Sequence, residues 1–260
     1  MPVRLSVSLI PEKPVSSSLL TPDRVHGLFF FLLDEKTAEE LHKPAKIKPF
    51  CLWFPQFFGE EKELDRINLH ISFLKESLFP AFLSSLILER NDGLFIENVM
   101  LRKLRKPHIR EDLILSYEDL YKKSVPENTI VLDFLTPTSF KRGEHDYPLP
   151  DPAPLFKGLI RKWVRFSGVR IEKDLREVIQ ERIAVAGAWI KTKKVELSKL
   201  GKITGFTGRV VYYVDSKDEE VLKWLSTLAR FAEFAGAGRK TTMGFGLVRF
   251  QKPELAHEPD

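Results

Sequence analysis

The sequence predicts an α+β protein built from two tandem ferredoxin-like (RRM-like) domains, and three observations carry that expectation. A β-α-β-β-α-β order of hydrophobic patterns runs through residues 3 to 103 and recurs through 129 to 250. The stretch between them, 104 to 128, is polar and contains Pro107 and Pro126, so the domains are expected over 1–115 and 116–260. A chain of 260 residues is long enough for each half to bury its own core.

In the first half, residues 3–10 alternate apolar and polar and read as a strand. Thr21 and Pro22 suit the cap and first turn of a helix, along which Val25, Leu28, Phe29 and Leu32 repeat at helical spacing. Residues 48–58 are aromatic and extended in character, and 64–73 alternate cleanly as a further strand. Leu78, Phe82, Leu83, Leu86 and Ile87 mark a second helix ending near Asn91-Asp92-Gly93, and 94–103 supply the closing strand.

The second half opens on a strand at 129–135. A helix follows over 155–167, with Phe156, Leu159, Ile160 and Trp163 on one face and Gly168 as its stop. Its other face carries Lys157, Arg161, Lys162 and Arg165, and the charged segment 169–182 reads as an insertion. Two long strands, 183–197 and 204–214, turn around Lys199-Leu200-Gly201-Lys202. Ser216 and Glu219 stand at capping-box spacing before a helix bearing Val221, Leu225, Leu228 and Ala232, and 244–250 form the last strand.

Composition narrows the function classes. No run approaches the roughly 18 apolar residues of a membrane span, and the N-terminus lacks a signal core, so the chain reads as cytoplasmic with no membrane partner. A single cysteine, Cys51, rules out an internal disulfide and a cysteine-based zinc cluster. No two histidines fall at metal-ligand spacing with carboxylates, so neither metal nor cofactor is expected. Residues 155–250 hold 20 Lys+Arg against 10 Asp+Glu, although the net charge of the whole chain is only +5. A basic half beside an acidic one suggests a polyanionic partner, most often nucleic acid.

The sharpest motif is Gly236-Ala-Gly-Arg-Lys-Thr-Thr-Met-Gly-Phe-Gly246, four glycines at G-x-G-x5-G-x-G spacing. Glycines tolerate positive φ and let the backbone approach a ligand, while Arg239, Lys240 and Thr241 add charge and a hydroxyl suited to phosphate. A nucleotide-binding P-loop does not fit. The G-x-x-x-x-G-K-[ST] spacing is absent, Arg239 stands where lysine is needed, and the loop follows a helix and precedes a strand.

With the strand start GFTGRVVYYV at 205–214, this glycine segment resembles the CRISPR-associated repeat-RNA processing endoribonucleases. HGLFFFLL at 26–33, LHKPAKIKPFCL at 41–52 and FLTPTSFKR at 134–142 are similar to further stretches of that family, in the same order. The resemblance implies binding of CRISPR repeat RNA (pre-crRNA and crRNA), either as a monomer or homodimer or with a CRISPR effector complex. It also implies metal-independent cleavage, in which a 2′-hydroxyl attacks the adjacent phosphate and leaves a 2′,3′-cyclic phosphate.

Such chemistry needs proton acceptor and donor groups and positive charge at the phosphorane. The family's histidine and lysine fall on His42, as general acid or base, and Lys48, as electrostatic stabiliser. His26 is a second candidate, because some relatives carry their histidine in the first helix. Phe30 stands where some relatives have a tyrosine and cannot transfer a proton. RNA contacts are expected from Gly236, Gly238, Arg239, Lys240, Thr241 and Gly244, and from Lys191, Lys193, Lys194 and Arg209 on the 183–214 hairpin. His70 reads as structural, and His108, His145 and His257 lie in polar segments. The rival reading is a non-catalytic RNA-binding scaffold subunit.

Overall fold

A computed structural model describes residues 1–87, 94–104, 107–197 and 201–259, with backbone only at 110–112. The first half runs β1 (Val3–Pro11), β2 (Val15–Ser16), α1 (Pro22–Phe31), α2 (Glu35–His42), β3 (Phe50–Trp53), β4 (Glu63–Leu64), β5 (Ile67–Phe73), α3 (Leu78–Ile87), β6 (Phe95–Ile96), β7 (Val99–Lys103) and β8 (His108–Ile114). The second runs α4 (Tyr117–Lys122), β9 (Thr129–Thr138), β10 (Phe140–Arg142), β11 (His145–Tyr147), α5 (Pro152–Phe166), α6 (Arg176–Glu181), β12 (Ile183–Leu197), β13 (Gly201–Val214), α7 (Glu219–Ala235) and β14 (Val248–Gln251).

The two principal sheets share one topology. The first is ordered β3-β5-β1-β7 and the second β12-β13-β9-β14, with every pairing antiparallel. In each, the first strand lies between the third and the fourth, so the molecule is a pair of tandem ferredoxin-like folds. The period-2 pattern of β1 explains how each sheet uses its faces. Val3, Leu5, Val7 and Leu9 are buried, while Arg4, Ser6 and Ser8 point to the other side. Phe29, Phe50, Ile71, Phe73 and Phe82 complete the first core, and Leu132, Phe156, Trp163, Tyr212, Leu225 and Phe231 the second. Each such side chain contributes about 1.5–3 kcal/mol by leaving water.

Several expectations are corrected locally. Residues 94–103 are not one strand but the hairpin β6-β7, turned at Glu97, whose φ is +50°. The expected connection at 104–128 holds β8, which pairs with β1, and α4, whose Tyr117 and Leu120 enter the second core. Helix α2 had no sequence signal of its own beyond Asp34, whose carboxylate caps it by accepting from Thr37 N–H. Asp218, rather than Ser216, caps α7 by accepting from the Glu220 and Val221 N–H groups. Thr21 takes the N-cap position of α1 without a side-chain capping bond. Gly168, at φ +70°, follows α5 as its stop. The helix end expected at Asn91-Asp92-Gly93 lies outside the described residues, as do Lys199 and Leu200 of the hairpin turn.

The halves are joined by specific contacts. Trp53 Nε1 donates to the Phe245 carbonyl at 3.2 Å, Tyr117 Oη to Leu74 at 2.7 Å, and Lys193 Nζ to Phe58 at 2.8 Å. The distal part of the β12-β13 hairpin buries Val195, Leu197 and Ile203 with Phe245, against Phe57 and Phe58 of the first half.

Candidate catalytic and nucleic-acid site

The glycine segment is packed tightly into the site. Gly236, Gly238, Gly244 and Gly246 all have positive φ, between +62° and +91°, and Lys240 joins them at +59°. At Gly238 a Cβ would stand 2.3 Å from the Ser139 carbonyl oxygen, and at Gly246 1.9 Å from that of Ala237. The loop is laced to the end of β9: Arg239 N–H donates to Ser139 and Gly246 N–H to Pro137, at 3.0 and 3.1 Å. The segments 134–142 and 236–246, far apart in sequence, therefore meet as one backbone unit.

Beneath the loop lies a lysine whose role the sequence did not reveal. The enclosed ammonium of Lys162 donates to the carbonyls of Ala235 and Gly236 and to Thr241 Oγ1, and Cys51 Sγ donates to the same Ala235 carbonyl at 3.0 Å. Burial pushes the Lys162 pKa down and that of Cys51 up. One ammonium thus ties the end of α7 to the turn that follows Lys240, and the expected exposed face of α5 loses one of its four cations to the interior.

This anchoring presents Lys240 to the first half. The 241–243 turn packs on β3 and α1, and α1 carries His26. The Phe30 ring contacts two imidazoles, with His42 stacked on it at 3.8 Å between centroids and His26 tilted against it at 4.7 Å. His42 is exposed as the last residue of α2, whereas His26 is half-buried. The His26 pKa is pushed below 6.5, first by burial and then by the charges of His42, Lys48 and Lys240. Lys48 Nζ donates to the Leu41 and Lys43 carbonyls at 2.6 Å each, clasping the turn that holds His42. The structure therefore brings His26 and His42 onto one phenyl ring, with Lys48 and Lys240 close enough for their charges to act on His26.

The remaining candidates divide. Arg239 reaches back to pair with Asp146. Thr241 is buried, engaged by Lys162. Gly236 caps α7, and a Cβ on Gly244 would meet the Phe54 ring at 2.8 Å, so these glycines serve loop packing. Lys191 and Lys194 are exposed on β12, and Lys193, also exposed, contacts Phe58. Arg209 corrects the expectation of a phosphate contact. It is only 8% exposed and forms a two-pronged ion pair with Asp133, Nε–Oδ1 2.7 Å and Nη2–Oδ2 3.1 Å. Register explains this, because Arg209 and Asp133 are direct cross-strand partners.

Sequence reasoning also missed a second cleft, of about 560 Å³, between the sheets. Arg4, Arg66 and Arg249 line it with His70, His108 and Asn68. Both histidines are cross-strand partners of Ser6. The outward half of each strand's alternation was the available signal, but it does not say that the two outward faces meet. Among the described residues, no group of three His, Cys, Asp or Glu side chains could hold a metal ion, and no helix is long and apolar enough to cross a membrane.

Residues 132–248 match the family model described as CRISPR-associated endoribonuclease Cas6. The CRISPR-associated endoribonuclease Cas6 of Mycobacterium tuberculosis is 27% identical over 121 residues, covering 46% of this chain and 38% of the relative's length. The chain thus matches well under half of that curated relative. A Cas6 product complex is similar over 96% of this chain and 100% of its own, with 29% identity and a TM-score of 0.81. Thermus thermophilus Cas6 is 28% identical over 96% of this chain and 98% of its own, with a TM-score of 0.75.

Proposed function

Taking as premise that this chain resembles the Cas6 endoribonucleases, by family model in its second half and by fold from end to end, we propose that it binds CRISPR repeat RNA and cuts within it. The cut is made by a ribose 2′-hydroxyl attacking the adjacent phosphate, leaving a 2′,3′-cyclic phosphate and a 5′-hydroxyl, without a metal ion. The observation that carries this reading is the meeting of two histidines on Phe30, with the charges of Lys48 and Lys240 acting on His26.

His26 and His42 divide the proton work. His26, its protonated form disfavoured, suits the acceptor of the 2′-hydroxyl proton. His42, exposed and stacked on Phe30, serves the leaving 5′-oxygen as donor. Lys240 supplies charge to the phosphorane, and Lys48 stabilises it while holding the turn of His42 in place. Labour divides at the 115/116 boundary: the first domain carries the proton-transfer groups, and the second carries the glycine loop and the exposed Lys191, Lys193 and Lys194. The arginine-lined cleft between the sheets offers single-stranded RNA a further path.

The test is cleavage of labelled repeat RNA in excess EDTA, beside RNA with a 2′-deoxy sugar at the cut site. Cutting in EDTA that the deoxy sugar blocks, and that falls about 10²–10⁴-fold in His42→Ala and in His26→Ala, supports the assignment. Activity lost in EDTA overturns the mechanism. Phe30 in the family's tyrosine position favours a second reading, a scaffold subunit that binds without cutting. Tight binding with no product from any repeat would establish that reading instead.

A further inference from the structure

Beside the turn that carries His42 lies a pocket of about 360 Å³ formed by both halves of the molecule. Leu41, Pro44, Ile47 and Pro49 from the α2–β3 connection form one wall, and Arg165 and Phe166 from the end of α5 form the other. Lys43, Lys75 and Lys48 lie at its edges with a single carboxylate, Glu40, which is paired with Lys75 at 3.2 Å. Lys48 holds the carbonyls of Leu41 and Lys43, and Lys43 and Arg165, both exposed, are further cations of the lining. Half-buried Phe166 presents an aromatic surface next to them.

We propose that this pocket is a subsite for one unpaired nucleotide flanking the cleaved bond. Its base would lie against Phe166 and the proline-lined wall, and its phosphate would meet Lys43 and Arg165. The size, about 360 Å³, is that of a small-ligand site and adequate for a single nucleotide. The chemistry, an aromatic plane beside cations with one neutralised acid, is that of single-strand recognition. The position follows from the backbone, because Leu41 and Lys43 line the pocket while His42, between them in sequence, stacks on Phe30. An RNA strand held at His42 therefore has its neighbouring nucleotide within reach of the pocket. The subsite would make cleavage depend on an unpaired residue at one fixed position, a selectivity that the histidines alone do not supply.

The inference rests on the repeat-cleaving function, and its test separates the two. Repeat RNA from the source organism's own array is prepared with single abasic sites at each of the three positions on either side of the cut, and KM and kcat are measured. Wild-type protein that neither binds nor cuts the intact repeat would overturn both readings. If it is active, the subsite requires one abasic position that raises KM about tenfold or more, the loss expected for one stacked base. At that position alone, Phe166→Ala should add nothing further. Arg165→Ala, which leaves the core intact, should raise KM for the intact repeat severalfold with kcat unchanged. Independent, multiplying effects of Phe166→Ala and the abasic site at all six positions would overturn the subsite and leave the cleavage reading standing.

Discussion

Replacing His70 by glutamine removes a proton site that the fold keeps empty, and the stability consequence can be worked out in advance. His70 lies on β5 in the cleft between the sheets, where burial, then Arg4, then His108 push its pKa from 6.5 to about 4. In the unfolded chain the imidazole returns to its ordinary value. Above pH 6.5 neither state binds the proton and stability is unaffected. Between pH 6.5 and about 4 the unfolded chain takes up the proton while the folded chain does not, so stability falls as the pH falls. Below that window both states are protonated and the effect levels off. At 1.36 kcal/mol per pKa unit, the full window amounts to about 3 kcal/mol.

Urea melts of wild type and His70→Gln, run from pH 7 to pH 4, isolate this contribution, because the other titrating groups are common to both proteins. The variant should gain about 3 kcal/mol relative to wild type across that range. Parallel stability curves would refute the reasoning, showing that the imidazole is protonated in place or is not enclosed.

Three further substitutions have outcomes set by the structure. Gly238→Ala places a Cβ against the Ser139 carbonyl at a left-handed φ, so it should destabilise the loop by about 1–3 kcal/mol and depress cleavage more than RNA binding by the hairpin, as read by kcat against Kd. Arg209→Met leaves the partly buried Asp133 carboxylate with Gln251 as its remaining side-chain hydrogen-bond donor. It should cost about 1–3 kcal/mol in chemical denaturation, while the folded fraction keeps its RNA affinity and salt dependence. Combined Lys191→Ala and Lys194→Ala substitutions should do the opposite, leaving melting unchanged and reducing the slope of log K against log salt by about 0.7 for each phosphate that is no longer neutralised.

Much of the architecture was legible in local patterns. The alternation of 3–10, 64–73 and 129–135, and the helical spacing in 22–32, 155–167 and 219–235, were sufficient to identify both β-α-β-β-α-β units, because side-chain periodicity of 2 or 3.6 reports the buried face of an element without reference to its neighbours. The four glycines were legible for a similar reason, since positive φ is a property of a single residue and all four adopt it. The short elements α2, α4 and β8 were harder to read, because a helix of six or eight residues owes its stability to packing rather than to its own sequence.

What the sequence by itself determined is thus the order of the principal elements, the two-domain plan, and the glycine loop with its neighbouring cations; the candidate histidines came from a family resemblance. Tertiary structure decided which of them meet. The charge of Lys240 acts on His26 because Lys162 and the end of β9 hold the glycine loop against the first half. Arg209 is withdrawn from the surface only because the β9–β13 register sets Asp133 opposite it. The arginine cleft and the pocket at Phe166 exist only where the two halves face each other. Periodicity is local to an element, whereas strand register and domain docking are set by contacts between residues far apart in the chain, and these placed the chemistry.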